Sequence, residues 1–232
     1  VSGRIELECD GAKLTSITAY RKVKSLTFGD LDMTPLPLVR YPLTEKTRQF
    51  TQELQLSSDS GSDFQWVVGA FYLDGRSAYD PFNLFGALFA PARGIWNEVA
   101  QKTKSYSLFG QASYPLAEGT NLTLGARYTI DKRRANGTLF VQMPDLSLVP
   151  TTDIDGKETY KEPTWRIALD HHLNDDVMVF ASYSRGFKSG IFNLSNPVDP
   201  PVKPETLDAY ELGIKADLFD RRLRLNTGAF YY

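Results

Sequence analysis

The sequence predicts an all-β fold, the wall of an antiparallel transmembrane β-barrel, and three observations predict it. Apolar residues recur at every second position in segment after segment, in runs near the ~9–11 residues that a strand needs to cross a bilayer. Connections between these runs alternate between short and long along the whole chain. Charges in the central parts of the runs fall on the polar parity, as they must when the other parity faces hydrocarbon.

Ten strands are expected, at about 3–9, 12–22, 46–57, 64–75, 103–114, 120–132, 160–172, 176–187, 206–218 and 222–232. The sixth shows the pattern well: Leu122, Leu124, Ala126, Tyr128 and Ile130 alternate with Asn121, Thr123, Gly125, Arg127 and Thr129. The ninth and tenth repeat it, as Tyr210, Leu212, Ile214, Ala216 and Leu218, then Leu223, Leu225, Thr227, Ala229 and Tyr231. In the eighth, Val177, Val179, Ala181 and Tyr183 are the expected lipid-facing set, although Met178 and Phe180 are apolar too, and a one-residue slip reverses the assignment. In the first hairpin Ile17 and Ala19 compete with Leu14 and Tyr20 for the apolar face.

The short connections are Asp10-Gly11, 58–63, 115–119, 173–175 and a turn near 220; the long ones are 23–45, 76–102, 133–159 and 188–205. Outer-membrane barrels sort their loops this way, with tight periplasmic turns and long extracellular loops. Arg127, Arg166, Lys215, Glu53 and Asp170 lie on the polar parity, whereas Arg48, Lys104 and Asp208 share the apolar parity only near the long-loop ends. Tyr20, Tyr72, Tyr106, Tyr128 and Tyr210 gather at the same ends, where an aromatic girdle belongs. A soluble β-sandwich is the competing architecture, with shorter strands and loops less cleanly sorted. With short turns periplasmic, both chain ends fall on the extracellular side, so an internal piece of a larger barrel is expected, with open edges that need partner strands.

Composition narrows the function classes. A net charge of −2 with 23% charged residues argues against a nucleic-acid partner. Cys9 is the only cysteine, which removes a disulfide framework or thiolate cluster. The longest apolar run, Trp66 to Leu73, is far below the ~20 residues of a membrane helix, and no signal peptide is visible at the start.

Several segments resemble one family: "RQFTQELQLSS" (48–58), "QWVVGAFYL" (65–73), "KSYSLFGQASYPL" (104–116), "LTLGARYTIDKR" (122–133), "VFASYSRGFKSGIFN" (179–193) and "KPETLDAYELGIKADLFDRRLRLNTGAFYY" (203–232). Together, and from roughly residue 12 onward, they resemble the barrel of TonB-dependent outer-membrane receptors. The resemblance implies about ten consecutive strands of a barrel of about 22, located in the bacterial cell outer membrane. It implies a plug domain, a TonB box and a signal peptide that are absent from residues 1–232. The implied function is binding of a scarce ligand, of the siderophore, cobalamin or oligosaccharide class, and its import with TonB energy. Implied partners are outer-membrane lipid, the rest of the barrel and plug, the TonB complex through the missing N-terminal region, and the small-molecule ligand. No cofactor is expected. The alternative is a soluble all-β carbohydrate-binding or structural domain.

Candidate ligand-binding residues lie in the long loops and at the rim. Phe82, Phe85, Phe89 and Trp96 with Arg93 can form an aromatic, cationic wall for an anionic ligand; Arg185 and Lys188 stand at the rim. The same aromatics can instead pack the loop on itself. His171 and His172 point to opposite faces of a strand and cannot grip one ion. Asp153 to Gly156 lacks the terminal Glu of a calcium loop and reads as a turn. Asn136-Gly137 suits a type I′ hairpin that extends a strand pair above the membrane. No P-loop order of residues occurs. Some outer-membrane barrels of similar strand number are hydrolases, but both histidines sit beside a short turn, so no enzyme and no catalytic residue is expected.

Overall fold

The computed structural model describes residues 1–59, 61, 62 and 64–232. Ten strands form one antiparallel meander, each paired with its sequence neighbours. They are β1 (Ser2–Cys9), β2 (Ala12–Asp30), β3 (Arg40–Ser58), β4 (Gln65–Phe85), β5 (Gly94–Ala117), β6 (Thr120–Gln142), β7 (Leu148–Asn174), β8 (Val177–Lys188), β9 (Glu205–Leu218) and β10 (Leu223–Tyr231). Among the described residues β1 and β10 do not pair, so the sheet is open.

Cross-strand register fixes the two faces. Leu14, Leu56, Val68, Gly110 and Ala126 follow one another across β2 to β6, and Leu169, Ala181 and Leu212 continue that face on β7 to β9. Its large apolar residues are exposed, Leu108 at 69% and Leu212 at 63%. The opposite face holds the buried polar residues Thr15, Ser107, Thr129 and Asp131, which marks it as the concave, inward side. Val177, Val179, Ala181 and Tyr183 point outward as expected, and Phe180 points inward with Lys215 Nζ 5.7 Å from its ring centroid. In the first hairpin Leu14 and Tyr20 take the outward face, and Ile17 and Ala19 turn inward.

An aromatic row runs across the outward face: Tyr20, Phe50, Tyr72, Tyr106, Tyr128, Trp165, Tyr183, Tyr210 and Tyr231. Relative to the hydrogen-bonded register it descends eight residues over eight strand-to-strand steps. A girdle must be level in the membrane, so one residue of stagger (~3.3 Å) per strand spacing (~4.8 Å) gives a tilt of ~35°, the lower end of the barrel range. Phe64 and Tyr114, with ring centroids 6.1 Å apart, mark the opposite edge. Tyr106 and Tyr114 lie eight residues apart on β5, which gives a belt about 22 Å tall at that tilt, close to the ~25 Å of known barrels.

The strands rise much further than the sequence suggests. The connections 23–45, 76–102 and 133–159 shrink to 31–39, 86–93 and 143–147, because β2 to β7 continue as paired ladders beyond the girdle. Above the membrane the outward face no longer meets hydrocarbon, so alternation no longer marks a strand. Two expected turns are corrected accordingly. Asn136-Gly137 lies inside β6 opposite Asp155 and Ile154, and Asp153 to Gly156 lies inside β7. The turn between these strands is Met143–Ser147, where Asp145 accepts from the backbone and hydroxyl of Ser147. Pro81 and Pro150 fall at register shifts, where a missing N–H leaves no ladder bond unmade. The short connections are in place at 10–11, 118–119, 175–176 and 219–222, with Gly11 and Gly119 supplying φ of 76° and 68° for two-residue turns. The expected 58–63 turn falls partly outside the described residues, at Ser60 and Asp63.

Candidate functional site

The inward wall carries the polar chemistry. On β6, Arg127 stands at the level of Phe109 on β5, and its guanidinium carbon lies 5.4 Å from the Phe109 ring and 5.5 Å from Phe71 on β4. The two rings flank the cation, whose Nε donates to Thr129 Oγ1 at 3.3 Å. Higher on the same face, Arg133 Nη2 lies 3.8 Å from Asp131 Oδ2, both side chains nearly buried. Asp131 Oδ1, Arg133 Nε and Ser107 Oγ have no partner among the described residues, so this wall presents unsatisfied donors and acceptors toward the interior.

The segment 189–204, between β8 and β9, folds inward over this wall. Gly190 packs under the Tyr160 ring, and Ile191 and Val202 bond each other's backbone at 2.8 and 3.2 Å. Phe192 N donates to Gln101 Oε1 on β5 at 3.0 Å, and the Phe192 ring, 7% exposed, covers Gly156 on β7. The segment therefore bridges from β8 across to β5 on the concave side.

The expected binding residues divide. Arg93 and Phe85 come together, with the guanidinium 5.7 Å from the ring, and Phe89 lies in the short 3-10 turn Ala87–Phe89 beside them. Trp96 lies on the outward face, where its Nε1 donates to Glu98 Oε1 at 2.9 Å. Arg185 is outward too: it bonds both carboxylate oxygens of Asp208, sits 4.8 Å over Trp165, and flanks the stacked pair Tyr183–Tyr210. Lys188 pairs in register with Glu205 at the inward rim. The loop cluster and the rim residues thus belong to strands far apart in the sheet. Gln101, Tyr160 and Phe192 were not expected from the sequence; for Arg127 the signal was present, a charge in the middle of an inward-facing set.

His171 Nδ1 lies 2.8 Å from Thr120 Oγ1, and His172 occupies the opposite face.

Residues 11–232 match the family described as TonB dependent receptor-like, beta-barrel. The chain belongs to this family. TonB-dependent receptors are also what its fold resembles. The ferric yersiniabactin uptake receptor FyuA from Yersinia pestis aligns with a TM-score of 0.79 at 16% identity, over 97% of this chain and 34% of that one. The siderophore receptor PiuA from Acinetobacter baumannii gives 0.71 at 15% identity, over 99% and 39%. The ferric-catecholate import receptor Fiu from Escherichia coli K12, in its closed form, gives 0.68 at 14%, over 99% and 39%. The chain spans a little over a third of the length of these TonB-dependent receptors. Comparison with curated proteins gave no match. The chain is thus β-barrel wall of a TonB-dependent receptor in the bacterial outer membrane, and its family and fold are those of receptors and transporters.

Proposed function

We propose that this wall belongs to a receptor that binds a ferric siderophore and imports it with energy from the TonB complex, through a plug and further strands outside residues 1–232. The observation that carries the reading is the inward wall, where Arg127 between Phe71 and Phe109 presents a cation and aromatic rings under the inward-folded segment 189–204. A ferric chelate that is both anionic and rich in π-faces suits such a wall. The names of the similar receptors, for ferric yersiniabactin, a siderophore and a ferric catecholate, support the same ligand class.

Within this reading Phe85, Phe89 and Arg93 form an outermost contact patch, and Lys188 offers a charge at the inward rim. Trp96 and Arg185, on the outward face, serve the wall instead of the ligand.

The test uses the full-length receptor in a host deprived of its own iron receptors. Radiolabelled iron delivered as catecholate, phenolate and hydroxamate chelates is followed with and without TonB. TonB-dependent accumulation of at least one chelate is expected. Uptake of cobalamin or an oligosaccharide with no iron chelate taken up overturns the ligand class, and uptake independent of TonB overturns the energy source.

A further inference from the structure

Six neighbouring strands, β2 to β7, each place a basic residue in one cross-strand row. Lys22 pairs with Arg48, Arg48 with Arg76, Arg76 with Lys102, Lys102 with Arg134, and Arg134 with Lys157. All six are exposed and lie on the outward face. At a strand spacing of ~4.8 Å, six positive charges line up over ~24 Å. Like charges directly opposite one another destabilise a sheet, and this row repeats that arrangement five times. Two members have partial relief: Lys102 Nζ lies 3.7 Å from Asp74, and Arg134 Nε 3.0 Å from Asp155. Lys22, Arg48, Arg76 and Lys157 have no ion pair among the described residues. The whole chain carries a net charge of −2, so the row is a local concentration and not a general excess.

Its position indicates what neutralises it. Lys22 and Arg48 stand two residues above the girdle residues Tyr20 and Phe50, and Lys157 stands eight residues beyond Trp165. The row therefore starts at the edge of the apolar belt and climbs obliquely away from it, from ~7 to ~26 Å along the strands. Below its low end, Leu14, Leu54 and Leu56 line a shallow apolar groove on the same outward face. A fitting occupant has acyl chains in the bilayer and several anionic groups on a headgroup that extends outward. We propose that this face binds the phosphorylated glycolipid of the membrane's outer leaflet, with acyl chains in the groove and phosphates along the row.

The full-length receptor is purified from outer membranes in mild detergent as wild type and as R48Q/R76Q, which removes two charges without an intramolecular partner. Bound glycolipid is quantified by phosphate and fatty-acid analysis, and thermal unfolding is followed in zwitterionic detergent with and without added lipopolysaccharide. Wild type is expected to retain at least fivefold more glycolipid than R48Q/R76Q, and added lipopolysaccharide to raise its Tm but not the variant's. Without lipid the variant should melt no lower than wild type, because repulsion has been relieved. Equal retention overturns the proposal. So does equal stabilisation by millimolar inorganic phosphate, which points to a soluble anion, or a lipid-free variant that melts well below wild type, which makes the row structural.

Discussion

The Phe192 ring occupies the space that a β-carbon at Gly156 would need, with Cε1 2.5 Å from that position. This contact joins the segment between β8 and β9 to the inward face of β7, and the Phe192–Gln101 bond extends it to β5.

Any side chain at residue 156 should therefore lift the segment from the wall. Burying a phenylalanine contributes about 2 kcal/mol, so Gly156→Val or Phe192→Ala should raise the open population of 189–204 about 30-fold. Hydrogen exchange at the Phe192 amide reads this directly, and unchanged protection in both variants refutes the docking.

The two faces of β6 should respond oppositely to charge. Leu124 points outward near the middle of the belt, whereas its neighbour Thr123 points inward and bonds Ser113 at 2.7 Å. Leu124→Lys is expected to cost about 2–4 kcal/mol and lower the assembled receptor in the outer membrane, while Thr123→Lys assembles. Denaturant unfolding in lipid vesicles measures the difference.

Arg127 should matter to binding more than to folding. Replacing it with Gln removes the cation and leaves Phe71 and Phe109 in place. A charge-assisted hydrogen bond from the guanidinium to the chelate is worth about 2 kcal/mol, so affinity for an anionic ferric chelate should fall about 30-fold. Arg127→Lys should recover part of that loss. Calorimetry with the chelate checks both variants, and a neutral R127Q leaves Arg127 a wall residue only.

The 31–39 connection should be acid-sensitive in a narrow window. Bonds from the Thr34 hydroxyl and the Val39 amide to the Asp32 carboxylate lower its pKa from 3.8 to about 2. A depressed carboxyl stabilises the folded turn above its unfolded value, and that contribution is lost as pH falls through the folded one. Order in this connection should hold down to pH 3.8 and disappear as pH falls through about 2. An NMR titration following the Thr34 and Val39 amides tests this, with Asp32→Asn expected to abolish the transition.

What the sequence made legible followed from the medium on each side of the wall. On β6 one parity meets hydrocarbon and the other meets the interior, and Leu124, Arg127 and Tyr128 declare the difference residue by residue. Between Arg133 and Gln142 the outward face has left the hydrocarbon, the alternation loses its cause, and the Asn136-Gly137 pair reads as a turn although it lies within a ladder. The inward-folded segment was hidden for another reason. Phe192 and Gln101 are 91 residues apart, and their meeting depends on a curvature that no local pattern encodes. Trp96 and Arg185 had the right composition for binding, but only the register shows them on the outward face.

The register shifts of the sheet fall at Leu43/Glu45, Tyr79/Phe82, Pro115/Ala117, Leu139/Phe140 and His172/Asn174, all at or beyond the edges of the membrane belt. Within the belt, parity acts like a reading frame: one inserted residue would send every later side chain to the wrong solvent. Outside it, an extra residue becomes a bulge and the frame has no meaning. Such a wall can change length freely above and below the bilayer, while between its two aromatic edges it tolerates insertions only in pairs.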